Sequence, residues 1–512
     1  MQQIDLHNKK IYYIINLNKY FQGVILNTKT LKGILLYSLI LIGSAFAVFA
    51  AIVIIMFIFP NLKLFGYGMI SKKETTSNST AISTSEISQP FDIIVSAGNF
   101  DISIYNSNED SISYSVYNNC LGASNLNSAG VKEEITSSSY TLNITEPSGW
   151  VFYRDSNLKI SLPANLEYNF IIKSNNGNIS ISNLQINNLK LNTSDGNFYL
   201  SHENQAELEL NNVNISTNSG NFNFKSKYEN VKINNGLTFS ATRGDILFKN
   251  LKSDVELVGN DIYFEANTVE TLENGFNANV SNIVLKVFNH LNSSNGSQNS
   301  ILTSSCLINI NEITGTSSIK SSNGNISLGT INSSTIIASS DGNVSVKEAK
   351  EYIKIDCKYS DIKLGSYAKS AYIKSLSGNI SAISTSTDCN DSTEIITSSG
   401  NITHETKFIP FKIISDGTST IEVTCFEFDE THALKYSINA PNSSVKVKYP
   451  GNCYFKYLIS GNIDTENGDS VFVENKNSSP QIHPKDVSNF SGDISKLSLL
   501  ELIVRTLIIT GV

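Results

Sequence analysis

The stretch SNNGNISIS, residues 174–182, is the most informative about the fold because the chain returns to its central Gly-Asn-Ile sequence several times. Related stretches are SSNGNISLG at residues 321–329, SSDGNVSVK at 339–347, SLSGNISAI at 375–383 and TSSGNITHE at 397–405. Such a recurring sequence either binds a ligand at each copy or builds a repeating fold. The apolar residues around each glycine favour the repeating fold.

Apolar residues recur at fixed distances from this glycine. With the glycine as position 0, they occupy positions −5, +2 and +4, as Ile172, Ile179 and Ile181 do around Gly177, and mostly polar residues separate them. This alternation predicts half-buried strands. Positions −5 and +2 are an odd number of residues apart, so both face the core only if the chain bends between them. Glycine permits the positive φ of such a corner, so the predicted unit is strand, glycine corner, strand.

The same unit extends along most of the chain at a regular period. Strong matches lie about 18–24 residues apart within each run, a period at which units must stack because one unit cannot bury its own apolar face. The patterns of leucine-rich repeats, propellers and calcium-binding β-rolls are missing. The predicted fold class is therefore all-β, a β-solenoid of about 18–24-residue coils. Position 0 is Gly98, Gly177, Gly196, Gly220, Gly244, Gly324, Gly342, Ser360, Gly378 or Gly400 in the strong matches, and Asn260, Ser281, Cys306, Ser419 or Ser443 in the weaker ones.

A long apolar run precedes the repeats. Residues 34–59, ILLYSLILIGSAFAVFAAIVIIMFIF, contain no charge over 26 positions. At about 1.5 Å per residue in a helix, the run exceeds the roughly 30 Å hydrocarbon core of a bilayer. It is too long, and its leader too long, for a cleaved signal peptide. We therefore predict a single transmembrane α-helix, a signal-anchor, before the solenoid.

The charges around this run favour one orientation. Residues 1–33 carry five lysines against Asp5, which favours an N-terminus inside, although Lys63, Lys72 and Lys73 nearly balance them. All six cysteines and all 17 Asn-X-Ser/Thr sequons lie beyond the run, although a chain so rich in these residues produces about that many sequons by chance. The expected location is the cell membrane, single-pass, with a large extracytoplasmic C-terminal body.

These features divide the chain into five predicted segments. A short inner tail (1–33) and the transmembrane helix (34–59) come first, then a Ser/Thr-rich stalk (60–89), the adhesin-like β-solenoid (90–450), and terminal coils with a C-terminal cap (451–512). The last 16 residues, LSLLELIVRTLIITGV, are apolar but contain Glu501 and Arg505. They favour a capping strand or a short amphipathic helix over the open end of the solenoid.

The segment LKISLPANLEYNFIIKSNNGNISISNL, residues 158–184, resembles the entry segment of the putative-adhesin β-strand-repeat family, a domain of unknown function on microbial surfaces. Its Leu162 and Pro163 are followed by the first of a series of Gly-Asn-Ile turns. FDIIVSAGNFDISI, residues 91–104, looks like the first strand pair of that family. The resemblance covers about residues 90–450 and implies an adhesin-like surface protein. It brings no catalytic residues.

The search for chemistry gives no catalytic, cofactor-binding or metal-ligating candidates. The histidines are scattered, without the spacing of a metal site, and no nucleophile elbow, Walker loop or dinucleotide fingerprint is present. Glu207 and Glu209, in ELEL, favour a solvated strand over a catalytic pair. The cysteines lack C-x-x-C, and the sequence does not decide between disulfide bonds and buried free thiols. A net charge of −8 with only three arginines disfavours nucleic acid as a partner.

The sequence therefore leads to a non-enzymatic, membrane-anchored surface protein that acts in adhesion or as an envelope spacer. Its expected partners are the membrane and an unidentified surface polysaccharide or protein. The alternative is an envelope-sensing or assembly protein whose inner tail, with KKIYYIINLNKYF at residues 9–21, docks a cytosolic partner. A carbohydrate-active β-helix enzyme is less favoured. Three charged side chains converging within about 5 Å on one face would favour that enzyme over the leading hypothesis.

Overall fold

The computed structural model describes residues 28–58, 69–83, 86–123, 126–149, 151–202, 205–293, 297–407, 409–427, 432–449, 454–460, 481–483, 492 and 494–511. These residues form one α-helix, α1 (Thr28–Ile58), a 3-10 turn (Ile494–Lys496) and 34 strands. The strands are β1 (Met69–Ala81), β2 (Phe91–Ala97), β3 (Asp101–Ser107), β4 (Ser111–Ala123), β5 (Gly130–Ile135), β6 (Ser139–Thr145), β7 (Val151–Pro163), β8 (Glu167–Asn176), β9 (Ile179–Ser182), β10 (Gln185–Asp195), β11 (Phe198–Ser201), β12 (Glu207–Leu210), β13 (Asn212–Asn223), β14 (Asn230–Ile233), β15 (Leu237–Leu247), β16 (Asn250–Lys252), β17 (Val255–Thr271), β18 (Phe276–Ser293), β19 (Gln298–Thr314), β20 (Thr316–Ile331), β21 (Thr335–Asp341), β22 (Val344–Ala349), β23 (Ile353–Tyr359), β24 (Ile362–Tyr367), β25 (Ala371–Ser377), β26 (Ile380–Ser384), β27 (Thr393–Ser399), β28 (Ile402–Thr406), β29 (Phe411–Ser415), β30 (Thr420–Cys425), β31 (Lys435–Tyr449), β32 (Phe455–Ser460), β33 (Gln481–His483) and β34 (Leu499–Gly511).

The chain divides into two compact units. Unit 1 comprises Met1–Glu74, Asn118–Ser128 and Pro147–Asp155, and unit 2 comprises Thr75–Tyr117, Ala129–Glu146 and Ser156–Val512. Unit 1 contains α1, and unit 2 contains the solenoid.

Helix α1 covers the uncharged apolar run as far as Ile58. Large apolar side chains along it are exposed, among them Leu36, Tyr37 and Phe46. Within the residues that the structure describes, no helix has the length and apolar character needed to cross a membrane. The transmembrane role of residues 34–59 stays a prediction.

Unit 2 confirms the predicted β-solenoid. Before each corner, parallel strands stack in the order β8, β10, β13, β15, β17, β18, β19, β20, β21, β23, β25, β27, β29 and β31. A second parallel stack follows the corner, and equivalent residues of successive coils lie side by side. Ile326, Val344, Ile362, Ile380 and Ile402 form one such row. Strands β12, β14, β16 and the end of β17 add a third face.

The solenoid begins with a reversal of chain order. β2 pairs with both β6 and β8, and β3 pairs with both β7 and β9. The strand pair β2 and β3 therefore lies between the later pairs β6 and β7 on one side and β8 and β9 on the other. Strand β5 pairs with β6 in the antiparallel direction. At the other end, β34 pairs with β31 along both of its halves, so the apolar tail is a strand and not a helix.

The predicted glycine corner is present, and its core positions are buried. Side chains at −5, +2 and +4 are at most 3% exposed around Gly177, Gly196, Gly220, Gly244, Gly324, Gly342, Ser360, Gly378 and Gly400. At Gly342, φ is +104°, a conformation that L side chains rarely adopt. A Cβ atom at Gly342 would also lie 2.0 Å from the carbonyl oxygen of Gly324, in the coil below. At this corner, glycine is therefore required both for the bend and for the close stacking of the two coils.

The asparagine at position +1 stabilises the stack through its side chain. Its Oδ1 accepts a hydrogen bond from the backbone N–H at position +1 of the next coil, as from Asn343 to Asn325 at 3.0 Å and from Asn401 to Asn379 at 3.1 Å. Asp361 accepts in the same way from Asn379 at 2.7 Å. We call this row the asparagine ladder. It satisfies N–H groups where the chain bends.

The row at position −3 holds buried hydroxyl groups that the sequence pattern did not include. Thr193, Ser321 and Ser339 lie inside the corner, each less than 10% exposed. Each hydroxyl donates to the backbone carbonyl two residues later, at 2.6–3.1 Å. These bonds let a small polar side chain occupy the core without the cost of an unpaired group.

The register of several predicted units was wrong. Position 0 lies two residues later than predicted in three units, at Phe100, Ile262 and Ile283 rather than Gly98, Asn260 and Ser281. A shift by two preserves the alternation of buried and exposed residues, so the sequence pattern cannot detect it. Before Ser419, the inward residue is Ile413 and not Ile414, because Ile413 pairs with Ile395 and the corner is one residue longer.

Candidate ligand-binding face

The asparagine ladder is interrupted on four successive coils. In β15, β17, β18 and β19, position +1 holds Asp245, Tyr263, Val284 and Leu307, which lie side by side. The ladder resumes at Asn325, which pairs with Leu307. These four coils therefore carry outward side chains that the stacking of corners does not require.

A depression of about 350 Å³ opens at this interruption. Its polar wall comes from positions −1 and +1 of neighbouring coils, with Arg243 and Asp245 on β15, Asp261 and Tyr263 on β17, and Asn282 on β18. Leu307 of β19, 46% exposed, adds an apolar edge. Parallel stacking at fixed register places these side chains on one outward surface although they lie far apart in sequence.

Two charged groups of the depression have no partner within the described part of the chain. Arg243 is exposed, and Asp245 is half-buried. Burial raises the pKa of the Asp245 carboxyl above its ordinary value. Asp261, in contrast, accepts a hydrogen bond from Nδ2 of Asn282 at 2.7 Å. The depression thus offers an available cation and an available carboxyl beside a preorganised amide–carboxylate pair.

A network centred on Glu265 adjoins the depression through Tyr263. Nζ of Lys225 lies 2.5 Å from Oε1 of Glu265, and the Tyr263 hydroxyl donates to the other carboxylate oxygen. Nζ of Lys286 donates to the Tyr263 hydroxyl at 3.3 Å and lies 5.2 Å from the centre of the Tyr263 ring. Three charged side chains therefore meet on one face through Tyr263, which is the feature that the sequence argument associated with an enzyme.

The proton affinities of this network favour binding over acid–base chemistry. The hydrogen bond from Lys225 is the main cause that lowers the pKa of Glu265. Burial, and then the hydrogen bond to Glu265, raise the pKa of Tyr263 above its usual value of 10. Glu265 is therefore ionised and Tyr263 protonated at neutral pH. A general acid or base has a pKa close to the working pH, and neither group meets that condition.

Other outward charges form ion pairs between coils. On the third face, Lys232 pairs with Glu209 at 2.6 Å, and Nδ2 of Asn234 donates to the same carboxylate oxygen at 3.1 Å. Lys252 and Glu270 pair at 2.7 Å in the next coils. Such exposed pairs contribute little to stability, but they neutralise each other. Glu209 is therefore part of a solvated strand.

The histidine and cysteine residues do not assemble a metal site in the described part of the chain. His404 fills a +4 core position, and Phe411 contacts its ring edge-on. Cys120, Cys306, Cys357 and Cys389 carry free thiols, and burial raises the pKa of Cys357 to about 11, which makes it a poor nucleophile. Cys453 lies outside the described residues.

The depression was not predicted from the sequence, although the sequence contains one signal of it. Arg243 is one of only three arginines, and RGDIL at residues 243–247 replaces the usual Gly-Asn-Ile with Gly-Asp-Ile. The neighbouring Tyr263 belongs to a unit whose register the pattern misplaced by two residues. Without the correct register, Tyr263 cannot be placed beside Asp245.

The chain was compared with curated sequences, solved structures and family profiles. No curated protein sequence matches the chain significantly. Similar solved structures include a "putative cell adhesion protein" from Clostridium sporogenes, 13% identical over 41% of this chain and 99% of that one, with a TM-score of 0.19. "Putative adhesins" from Parabacteroides distasonis and Parabacteroides merdae are 8% and 12% identical over 73% of this chain and 97% and 96% of theirs, each with a TM-score of 0.14. Likenesses at these TM-scores carry no inference about fold or function.

The comparison with family profiles is decisive. The Toastrack profile, DUF4097, matches residues 91–403, which is more than half of the chain. These residues run from the first strand of the solenoid, β2, into β28, and they include the depression between β15 and β19. The resemblance to a β-repeat family of unknown function is confirmed, and the chain belongs to the Toastrack family, DUF4097.

Proposed function

We propose that the protein is a membrane-anchored surface protein whose solenoid binds a ligand and acts in adhesion. One observation carries the proposal, the interruption of the asparagine ladder at Asp245, Tyr263, Val284 and Leu307. Elsewhere the row at +1 consists mainly of residues that hydrogen-bond the next corner. Side chains that do not serve the stack, gathered around a depression, are the expected form of a binding site.

The proposal that the protein is not an enzyme rests on the Glu265 network. Its carboxylate is held ionised by Lys225, and its tyrosine is held protonated. A network of this kind can recognise a ligand through charge and hydrogen bonds. Proton transfer at neutral pH is most efficient with a group whose pKa lies close to 7, and both shifts move these groups away from that value.

Membrane attachment and orientation are part of the same proposal. The uncharged run of residues 34–59, the exposed apolar side chains of α1 and the lysines of the leader support a single membrane anchor with the N-terminus inside. In this arrangement the solenoid is extracytoplasmic and displays its outward faces to other surfaces. A role as an envelope spacer uses the same arrangement without a ligand.

The test compares cells that produce the full chain with cells that produce three variants. The first lacks residues 34–59, the second carries Asp245→Ala with Tyr263→Ala, and the third lacks residues 1–30. We measure surface exposure with an antibody and the attachment of cells to polysaccharide- and protein-coated surfaces. Surface exposure is expected to need residues 34–59, and attachment to need Asp245 and Tyr263.

Two outcomes would change the proposal. Unchanged attachment by the Asp245→Ala/Tyr263→Ala variant, at equal surface exposure, would remove adhesion through this face and favour the spacer. Loss of attachment after deletion of residues 1–30, with surface exposure intact, would favour the alternative in which residues 9–21 dock a cytosolic partner. Those residues lie outside the described part of the chain.

A further inference from the structure

We propose that the depression between β15, β17, β18 and β19 binds the uncharged hexose units of a surface polysaccharide. This inference rests on the proposed function and names the ligand class of the same face. The geometry that carries it is the juxtaposition of Arg243, Asp245, Asp261 and Asn282 with Tyr263 around one cavity.

The hydrogen-bonding groups of the depression suit hydroxyl groups. Arg243 supplies several donors and Asp245 supplies acceptors, and neither has a partner within the described residues. The Asp261–Asn282 pair, joined at 2.7 Å, presents a further acceptor and donor in fixed positions. A sugar hydroxyl both donates and accepts one or more hydrogen bonds, so neighbouring hydroxyls on one ring can use both kinds of group. A simple anion or cation would leave one kind unused.

The balance of charge points to an uncharged ligand. The depression and the adjoining network contain three cations, Arg243, Lys225 and Lys286, and three carboxylates. Their formal charges cancel, so the face has no net attraction for a polyanion or a polycation. The carboxylates are Asp245, Asp261 and Glu265.

The half-buried carboxyl of Asp245 further selects against anionic sugars. A ligand carboxylate beside it would bring two like charges into a partly desolvated site, which is unfavourable. A hydroxyl that donates to Asp245 would instead replace the hydration that burial has removed. Asp245 therefore favours a ligand that carries donors without carrying negative charge.

The size and the apolar edges fit one or two sugar rings. A volume of about 350 Å³ lies at the small end of the range of ligand sites, roughly 300–1,000 Å³. The half-buried ring of Tyr263 and the exposed side chain of Leu307 provide apolar surface for the C–H face of a pyranose. Lys286 packs against the Tyr263 ring and fixes its position.

The test measures binding by the full-length protein, purified in detergent, with isothermal titration calorimetry. The uncharged probes are dextran, laminarin and mannan, and the charged comparators are polygalacturonate and chitosan oligosaccharide. Binding of at least one uncharged probe is expected, with weaker binding of both charged polymers. Asp245→Ala and Tyr263→Ala should each weaken that binding at least tenfold, because each removes a group that contacts the sugar.

Matched controls come from outward residues of a regular part of the solenoid. Asp341→Ala removes an exposed aspartate and Tyr359→Ala removes a tyrosine that is 62% exposed, both at position −1 of their coils. Both controls should bind the uncharged probe within twofold of the unaltered protein. Thermal unfolding of every variant verifies that a loss of binding does not come from a loss of folding. Asp245→Asn, of almost equal shape, replaces Asp245→Ala if the latter does not fold.

Three results would overturn the inference. These are binding of no uncharged probe, stronger binding of a charged polymer, or uncharged binding that Asp245→Ala and Tyr263→Ala leave intact. The failure of the inference is distinguishable from failure of the proposed function. If the double variant abolishes cell attachment while no uncharged probe binds, the face still acts in adhesion and only its ligand class is wrong.

Discussion

The carbonyl oxygen of Gly324 lies only 2.0 Å from the point that a Cβ atom on Gly342 would occupy. The two glycines occupy equivalent corners of adjacent coils. At these two corners the absence of a side chain on Gly342 lets the coils stack closely, in addition to permitting the turn of the chain.

Gly342→Ala should therefore destabilise its coil by about 2–4 kcal/mol, from backbone strain together with a collision. Gly236→Ala is the matched control, because φ at Gly236 is +102° but its nearest neighbouring atom is 3.6 Å away. Gly236→Ala should reduce local stability by the backbone strain alone, about 1–2 kcal/mol. Amide hydrogen exchange measures both locally, which suits a repeat protein. Equal losses of protection would show that the collision is relieved.

Asn379→Ala should weaken the corner by about 0.5–1.5 kcal/mol, because the N–H of Asn401 loses its acceptor. Asn379→Asp should be tolerated at neutral pH, since Asp361 performs the same role one coil earlier. Faster exchange of the Asn401 amide is the measurement. Ser381→Ala, on the next outward position, should leave that amide unchanged. An equal effect of Ser381→Ala would contradict a role for the ladder.

His404 should make the solenoid less stable in mild acid. Burial lowers its pKa from 6.5 to about 4, and its Nδ1 lies 3.2 Å from the carbonyl oxygen of Ala382. The unfolded chain binds a proton below pH 6.5 and the folded chain does not, so stability falls between pH 6.5 and about 4. The loss approaches about 3 kcal/mol. Urea unfolding at several pH values measures it.

His404→Leu should remove this part of the pH dependence. Leu328 and Leu364 fill the same +4 position elsewhere, so leucine fits the core. The substitution also removes Nε2, a buried nitrogen without a hydrogen-bond partner in the described structure. His290→Leu is the control, since His290 is only partly buried. An unchanged slope between pH 6.5 and 4 in His404→Leu would refute the assignment.

Asp254 should hold the turn that follows β17. Its carboxylate accepts from the backbone N–H groups of Leu272, Glu273 and Gly275 at 2.7–3.1 Å, and from Nδ2 of Asn274 at 3.1 Å. Asp254→Ala should cost about 1.5–3 kcal/mol, as for hydrogen bonds to a charged group. Exchange of the Leu272 amide measures the loss, with Asp341→Ala as a control at an exposed aspartate.

Asp254 also makes the stability of this turn depend on pH. The cause is a hydrogen-bonded carboxylate, whereas for His404 it is a buried neutral imidazole. Burial opposes ionisation of Asp254, but the hydrogen bonds from residues 272–275 prevail and lower its pKa. A depressed pKa contributes stability above pH 3.8, and this contribution is lost as the pH falls through the folded value. Protection of the Leu272 amide should therefore persist at pH 5 and decline below pH 3.8. Loss of protection already at pH 5 would argue against the assignment.

The fold class and the corner could be predicted from the residues alone. Apolar residues at −5, +2 and +4 alternate as in strands but change parity between −5 and +2, which predicts a bend between them, and a glycine at position 0 permits that bend. The core residues Ile172, Ile179 and Ile181 followed directly from this pattern. These features were predictable because each depends on neighbours within about ten residues.

The register between coils and the position of the depression could be assigned only from contacts between distant parts of the chain. A shift by two residues leaves the alternation of apolar and polar residues intact, so either Ile262 or Asn260 could be position 0 of that unit. Only the pairing of Ile262 with Gly244 in the preceding coil distinguishes them. The order of β2, β6 and β8 likewise depends on contacts between distant strands. Asp245 and Tyr263 are 18 residues apart in the chain and adjacent in the stack. Their meeting depends on the length of the intervening coil, which no local pattern specifies.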